Sequence, residues 1–204
     1  MKIGIIGAGS VGGTLGKTWA MEGHEIVYGV RNPDDPKYNA LMQSTQNGRI
    51  LTITETLVWG DVLLLAVPVS ALPDILAQAN LAGKTLIDAN NRFSEPEDIL
   101  GSIAQDIQAM APDAHVIKAF NTIGANHMTG RRSDVEPATM FICGDNGEAK
   151  LTVTELASVA GFDPLDCGPL SNAHLLENLA LLWIDLMRRG MGRDIAFKLF
   201  HRPT

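Results

Sequence analysis

“KIGIIGAGSVGG”, residues 2–13, decides the fold, because a short apolar run passes directly into a group of glycines. Gly7, Gly9 and Gly12 form the pattern G-x-G-x-x-G between a predicted strand and a predicted helix. In that setting the first glycine permits a tight turn, the second lets the backbone approach a pyrophosphate, and the third lets the helix pack closely on the strand. The stretch predicts a dinucleotide site, and the alternative is a glycine-rich turn without a ligand. The predicted contacts from this loop are Gly7, Ala8, Gly9, Ser10, Val11 and Gly12.

Beyond this loop, short apolar runs alternate with helical stretches along the chain. Further strands are predicted at residues 24–30, 49–54, 62–68, 84–90, 114–121, 138–144 and 162–168. Further helices are predicted at residues 34–46, 70–80, 95–110, 147–160, 170–190 and 191–200. Such alternation is typical of parallel βαβ units. We predict a single α/β domain, 1–204, of the Rossmann type: a doubly wound, mostly parallel sheet (core 1–168) with a helical C-terminal segment, 169–204.

Composition narrows the class of protein. The chain has 204 residues, of which 46% are apolar, and a net charge of −7, which argues against a partner that is a nucleic acid. Cys143 and Cys167 belong to no metal-binding spacing, so no metal is predicted. The longest apolar run, residues 62–69, is far shorter than the roughly 20 residues that span a membrane. We expect a cytoplasmic protein without a membrane partner.

The end of the second predicted strand indicates which dinucleotide is bound. An NAD site carries an acidic residue there, about 20 residues after the glycines, for the ribose 2′-hydroxyl. This chain has Val30, Arg31 and Asn32 instead, and Lys37 follows nearby. Arg31 is placed to meet a 2′-phosphate, with Val30, Asn32 and Lys37 beside it, although it could also be a solvated loop charge. The sequence therefore predicts NADP(H).

Three further segments end predicted strands, and the carboxyl ends of parallel strands meet at one edge of the sheet, where ligands bind. They are “AVP” (residues 66–68), “DANN” (residues 88–91) and “FNT” (residues 120–122). We predict that they converge on the cofactor, although Pro68 and Asn90 are equally consistent with simple turns. The contacts predicted from these ends are Ala66, Val67, Pro68, Asn90 and Asn121.

Candidate catalytic residues are few, because no triad or dyad stands out. Lys118 and Asn121 are weak candidates at the end of the strand 114–121, and His127 and His174 are further possible proton donors. A lysine on a buried strand could donate a proton. Alternatively, its aliphatic stem packs on the sheet while its ammonium lies at the sheet edge.

Four stretches together resemble a known family. “GIIGAGSVGGTLGKTWAMEGHEIVYGVRNP”, “AVP”, “KAFNTIGA” and “FICGDNGEAK…GFDPLDCGPL” are similar to the NADP reductases that depend on the deazaflavin coenzyme F420. They also resemble the cytosolic NADP-binding domain of six-transmembrane metalloreductases. The resemblance spans roughly residues 2–187. The reductases carry Thr, Ser and His where this chain has Ala8, Val30 and Asn121.

The resemblance implies an NADP-binding Rossmann domain, often dimeric, that passes hydride between nicotinamide and a flavin-like partner. It implies that Arg31 meets the 2′-phosphate and that Ile123 and Ala125 form walls of the nicotinamide pocket. The helix around Leu175–Met187 is apolar nearly all round and must be buried from two sides, which predicts a homodimer through it; the alternative is a long crossover helix buried within one chain.

Three functions remain open from the sequence. The first is transfer of hydride between NADPH and a small-molecule acceptor, namely coenzyme F420 or a flavin. The second is reduction of a small carbonyl or imine, which also needs a proton donor. The third is a regulatory NADP(H)-binding protein without turnover.

Overall fold

The computed structural model describes residues 1–92, 101–129 and 136–200. Among them, eight strands form one sheet in the order β3-β2-β1-β4-β5-β6-β7-β8. Neighbouring strands are parallel, except that β6 and β7 are antiparallel. The predicted doubly wound, mostly parallel sheet is confirmed. The strands are β1 Lys2–Ile6, β2 Glu25–Val30, β3 Arg49–Thr52, β4 Val62–Leu65, β5 Thr85–Asp88, β6 His115–Lys118, β7 Thr139–Gly144 and β8 Asp163–Asp166.

Helices cover both faces of the sheet. They are α1 Ser10–Met21, α2 Asn39–Ser44, α3 Ile53–Trp59, α4 Leu72–Leu76, α5 Ile103–Met110, α6 Gly147–Val159 and α7 Ala173–Leu186. Side chains alternate between the two faces along each strand, so Val62 and Leu64 join one core cluster and Leu63 and Leu65 join the other. The first cluster includes α1 and α6, and the second includes α3, α4, α5 and α7.

A left-handed residue ends the β6 segment. Phe120 has φ +60°, which is uncommon for a residue other than glycine. Its ring packs edge-on against Trp19 of α1, with ring centroids 5.8 Å apart, and against Phe162 at 6.2 Å. This packing holds the turn in place, and the turn sets the position of Asn121 beside the N-terminal half of α1.

Two predicted elements are wrong. Residues 49–54 were expected to be one strand, but β3 ends at Thr52 and α3 begins at once, because Thr52 and Glu55 form a capping box. Residues 191–200 were expected to be a helix, so the C-terminal segment 169–204 is not helical throughout. Residues 192–200 have no regular secondary structure instead. The helix predicted at 95–110 is seen as α5, and its first six residues lie outside the described ranges.

The helix α7 combines buried and exposed apolar residues. Leu176 and Ala180 are buried, whereas Leu175 and Leu182 are 52% and 48% exposed. A short π-helical turn, Met187–Met191, follows it. Within the described ranges, no helix has both the length and the apolar character needed to cross a bilayer.

Candidate functional site

The glycine loop has the geometry that the sequence predicts. Gly7 has φ +105°, and a Cβ added there would lie 2.3 Å from the carbonyl oxygen of Ala66. A Cβ at Gly12 would lie 2.1 Å from the carbonyl oxygen of Gly7 and 2.8 Å from a methyl of Ile5. At Gly9, by contrast, no other atom lies within 4 Å of an added Cβ. Two glycines are therefore required by close packing, and the third faces open space.

The N-terminus of α1 is suited to an anion. Gly9 is the N-cap residue and supplies no side chain to the free N–H groups of the first turn. The first turn also contains no acidic residue. Helix α1 therefore presents unneutralised partial positive charge to the open space over Gly9. These features fit the pyrophosphate of a dinucleotide.

Arg31 follows directly after β2, and the residues immediately before and after it in the sequence are not acidic. Arg31 and Asn32 are exposed, and Val30 is buried at the end of the strand. Lys37 forms a salt bridge with Asp35, with Nζ and Oδ2 2.8 Å apart. Arg31 is thus the cation best placed for a 2′-phosphate, because Lys37 already has an anionic partner.

A cavity of about 460 Å³, here called the main cavity, lies next to the glycine loop. Predicted contacts from two segments, the glycine loop and the stretch after β6, line it: Ser10, Asn121, Ile123 and Ala125. Asn91 and Thr122, from the segments predicted to converge on the cofactor, also line it, and the remaining lining residues are Gly124, Asn126, Ala180, Trp183, Ile184, Met187 and Arg193. Helix α7 and the turn after it therefore form a wall of the main cavity. A volume of this size is typical of a small-molecule site.

Two asparagines cross-link the floor of the main cavity. The amide nitrogen of Asn121 donates to Oδ1 of Asn91 at 2.8 Å and to the carbonyl oxygen of Leu176 at 3.0 Å. The amide nitrogen of Asn91 donates to the carbonyl oxygen of Asn121 at 2.9 Å. Oδ1 of Asn121 is buried without a hydrogen-bond partner among the described residues, which costs about 1–3 kcal/mol. A donor from a ligand would remove that cost.

The other predicted contacts from strand ends lie outside the lining of the main cavity. Ala66 and Val67 are half-buried after β4, and Pro68 is exposed. The side-chain amide of Asn90 donates to the carbonyl oxygen of Leu65 at 3.2 Å and to Oδ1 of Asp88 at 2.9 Å. Asn90 therefore joins the ends of β4 and β5, and its amide donors already have partners within the protein.

Lys118 belongs to a buried ion cluster. Its ammonium lies 2.7 Å from Oδ2 of Asp88 and 2.8 Å from Oε1 of Glu177, and it also donates to the carbonyl oxygen of Asn90. The lysine and Asp88 are 0% exposed, and Glu177 is 3% exposed. The expectation that the ammonium lies at the sheet edge is wrong, because an acid from α7 meets it in the interior. The backbone N–H of Ile103 also donates to Glu177, at 2.9 Å.

Glu177 was not predicted from the sequence. The available signal was an acid on the apolar stripe of a long helix, since a carboxylate on a buried face requires a partner. His174, in the same helix, is bonded to the carbonyl oxygen of Ser171 at 2.7 Å and does not line the main cavity.

The segment 193–199, here called the C-terminal strap, has no regular secondary structure and packs against α7 and the start of β7. The indole N–H of Trp183 donates to the carbonyl oxygen of Ile195 at 2.8 Å. The backbone N–H of Thr139, at the start of β7, donates to the carbonyl oxygen of Phe197 at 2.9 Å. These bonds tie the strap to α7 and to the sheet.

A second cavity, of about 400 Å³, lies beneath the strap. Ile123 lines both cavities, so the two adjoin at that side chain. His127 faces the second cavity, and its Nε2 lies 2.8 Å from Oδ1 of Asp194. The remaining lining residues are Thr129, Glu136, Ala138, Ile195, Ala196, Phe197 and Lys198.

Neither cysteine is arranged for nucleophilic chemistry or metal binding. Burial raises the pKa of the Cys143 thiol to about 12, and burial also raises the pKa of Cys167. Both thiols are therefore protonated at neutral pH. In the part of the chain that the structure describes, no three His, Cys, Asp or Glu side chains are grouped to hold a metal.

Comparisons with known proteins agree with this geometry. Residues 2–92 match the family described as NADP oxidoreductase coenzyme F420-dependent. The F420-dependent NADP reductase of Methanothermobacter marburgensis is 26% identical over 226 residues, which cover all of both chains. A solved structure from Arthrobacter sp. FB24, described as a proposed F420-dependent NADP reductase, superposes with a TM-score of 0.87 at 27% identity. It covers 98% of this chain and 100% of that one.

One metalloreductase has a higher sequence identity to this chain, but the match covers a smaller share of that protein's length. The rat metalloreductase STEAP3 is 33% identical over 184 residues, which are 88% of this chain and 36% of the relative. The chain thus spans about a third of that protein. These similarities agree with the resemblance carried by the four sequence stretches.

Proposed function

Because residues 2–92 match the family of coenzyme F420-dependent NADP oxidoreductases and similar reductases align over the whole chain, we propose that the protein transfers hydride between NADPH and a flavin-like or deazaflavin acceptor. The observation that carries this proposal is the pair of adjoining cavities beside the glycine loop, which share Ile123. The main cavity includes Ser10 of the loop and takes the nicotinamide end of the cofactor. The second cavity takes the acceptor.

The protein's part in this reaction is binding, alignment and exclusion of water. When bound, NADPH supplies a hydride, and its nicotinamide ring changes from neutral to positively charged. Transfer between two rings requires the reacting carbons to lie roughly 3–3.5 Å apart and needs no protein nucleophile. Ile123 sets the boundary between the two sites, and Trp183 and Ile184 exclude water from the main cavity. Asn121 offers its unpaired oxygen to the cofactor.

Replacing Arg31 by alanine is expected to weaken NADPH binding about 10- to 100-fold and to leave NADH binding nearly unchanged. The reason is that a charge-assisted hydrogen bond contributes roughly 1.5–3 kcal/mol, and only NADPH carries the 2′-phosphate. Fluorescence titration with both nucleotides measures the effect. Lys37→Ala is the control, with a smaller loss, because that lysine is paired with Asp35. Equal losses for NADPH and NADH would contradict the assignment.

A panel of acceptors tests the reaction itself. NADPH oxidation is followed at 340 nm with coenzyme F420, FMN and riboflavin, and we expect oxidation with at least one of them. NADPH binding without oxidation by any of these acceptors would contradict hydride transfer to flavin-like rings. No NADPH binding would contradict the cofactor as well.

One observation favours a second candidate, the reduction of a small carbonyl or imine. Such an acceptor takes a proton together with the hydride. His127 and Asp194 both line the second cavity, and Nε2 of the histidine lies 2.8 Å from Oδ1 of the aspartate. Small ketones and cyclic imines therefore belong in the same panel. Turnover with these and not with the flavins would establish the second candidate over the first.

We also propose that the chain forms a homodimer through α7. Leu175 and Leu182 are about half exposed on α7, whereas Ala173 and Leu176 of the same helix are buried in the core. Sedimentation of the protein with both leucines replaced by serine tests this proposal, and an unchanged mass would contradict it.

A further inference from the structure

The buried cluster around Lys118 carries an excess of negative charge. Asp88 and Glu177 contribute two carboxylates, and Lys118 contributes the one ammonium that meets both of them. The formal charge of the three side chains is therefore −1. Each of the three residues is at most 3% exposed, so solvent and salt screen this charge much less than they screen a surface charge.

This excess charge lies directly behind the walls of the main cavity. Ala180 lines the main cavity one helical turn after Glu177, on the same face of α7. Asn121 lines its floor three residues after Lys118, and it bonds to the carbonyl oxygen of Leu176, the neighbour of Glu177. Among the described residues that line the main cavity, the charged side chain is Arg193, which is exposed and therefore screened by water.

We infer that the buried carboxylates favour the positively charged, oxidised nicotinamide over the neutral, reduced one. This inference rests on the proposed function and assigns Glu177 and Asp88 as residues that tune the bound cofactor. In general, a unit negative charge about 10 Å from a cation stabilises it by roughly tenfold in an equilibrium at an effective dielectric constant of about 20. The 2′-phosphate and pyrophosphate are common to both redox forms, so their contributions cancel in the comparison.

A preference for the oxidised form makes the bound reduced form a stronger hydride donor. A tenfold preference corresponds to a shift of about 30 mV in a two-electron couple. The cluster thus biases the site toward hydride leaving NADPH for the acceptor, and it does so without touching the ring. Glu177 and Asp88 are positioning and tuning residues rather than catalytic ones.

Glu177→Gln tests the inference, because glutamine keeps an oxygen that can accept from Lys118 and from the N–H of Ile103 while it removes the charge. We expect the ratio of Kd for NADP⁺ to Kd for NADPH to rise about 3- to 10-fold, measured by titration calorimetry. Glu25→Gln is the matched control, since Glu25 is exposed at the amino end of β2, away from the site. Its ratio is expected to stay at the wild-type value.

Asp88→Asn provides a second, independent removal of the same charge and is expected to move the ratio in the same direction. If Glu177→Gln is folded and its ratio equals that of the wild type, the inference is overturned while the proposed function stands. If the wild type binds neither nucleotide, the proposed function itself fails. The two failures are therefore distinguished by the wild-type titrations.

Discussion

Replacing Lys118 by methionine is expected to lower the free energy of unfolding by about 3–5 kcal/mol, because it leaves two carboxylates buried without their cation. Methionine fills the space of the lysine stem but cannot donate to Asp88, Glu177 or the carbonyl oxygen of Asn90. For a domain of this length the loss corresponds to a fall in Tm of roughly 6–20 °C. Thermal and urea unfolding of the wild type and variant measure the change.

The control restores a neutral cluster. Lys118→Met combined with Asp88→Asn and Glu177→Gln has no buried charge left at this place, so we expect it to recover more than half of the lost free energy. A loss below about 1 kcal/mol in the single variant would contradict a buried, ion-paired lysine. A loss of turnover in Lys118→Met would not identify a proton donor, since the side chain is 0% exposed and the fold itself is weakened.

Replacing Gly12 by alanine is expected to cost about 2 kcal/mol or more and to abolish NADPH binding. Its Cβ would lie 2.1 Å from the carbonyl oxygen of Gly7, a backbone atom that cannot turn aside, so α1 must move away from β1. The start of α1 would then no longer meet the pyrophosphate. Urea unfolding and NADPH titration of the same preparation measure both effects.

Gly9→Ala separates binding from stability. An added Cβ there has no protein atom within 4 Å, so the free energy of unfolding should stay within about 0.5 kcal/mol of the wild type. The methyl group would occupy the space where the pyrophosphate approaches, and we expect at least tenfold weaker NADPH binding. Wild-type affinity in Gly9→Ala would place the pyrophosphate elsewhere.

Much of the fold could be predicted because its signals are local. The eight strands were all anticipated from short apolar runs, and the glycine spacing identified the first turn before any contact was known. The helix α3 also had a local signal, the Thr52–Glu55 capping box. Its β-branched residues, Ile53 and Thr54, extend the preceding strand pattern and so obscure the helix start.

The strap shows why another local pattern fails. Residues 191–200 carry apolar residues at helical spacing, yet residues 192–200 form no regular secondary structure and are bonded to the start of β7. The carbonyl oxygen of Phe197 accepts from the backbone N–H of Thr139, and that of Ile195 accepts from the indole N–H of Trp183. These tertiary bonds outweigh a weak helix propensity, which contributes at most a few tenths of a kcal/mol per residue.

The sequence by itself determined the Rossmann architecture, the glycine loop and the arginine after β2, since each depends on residues close together in the chain. Only the tertiary structure decided the state of Lys118, because its partners lie 30 and 59 residues away, on β5 and α7. It also decided that α7 and the strap form the two cavities. Local periodicity indicates which face of a helix or strand is buried. The order of the strands in the sheet, and the packing of α7 and the strap against it, decide which side chains meet at that face.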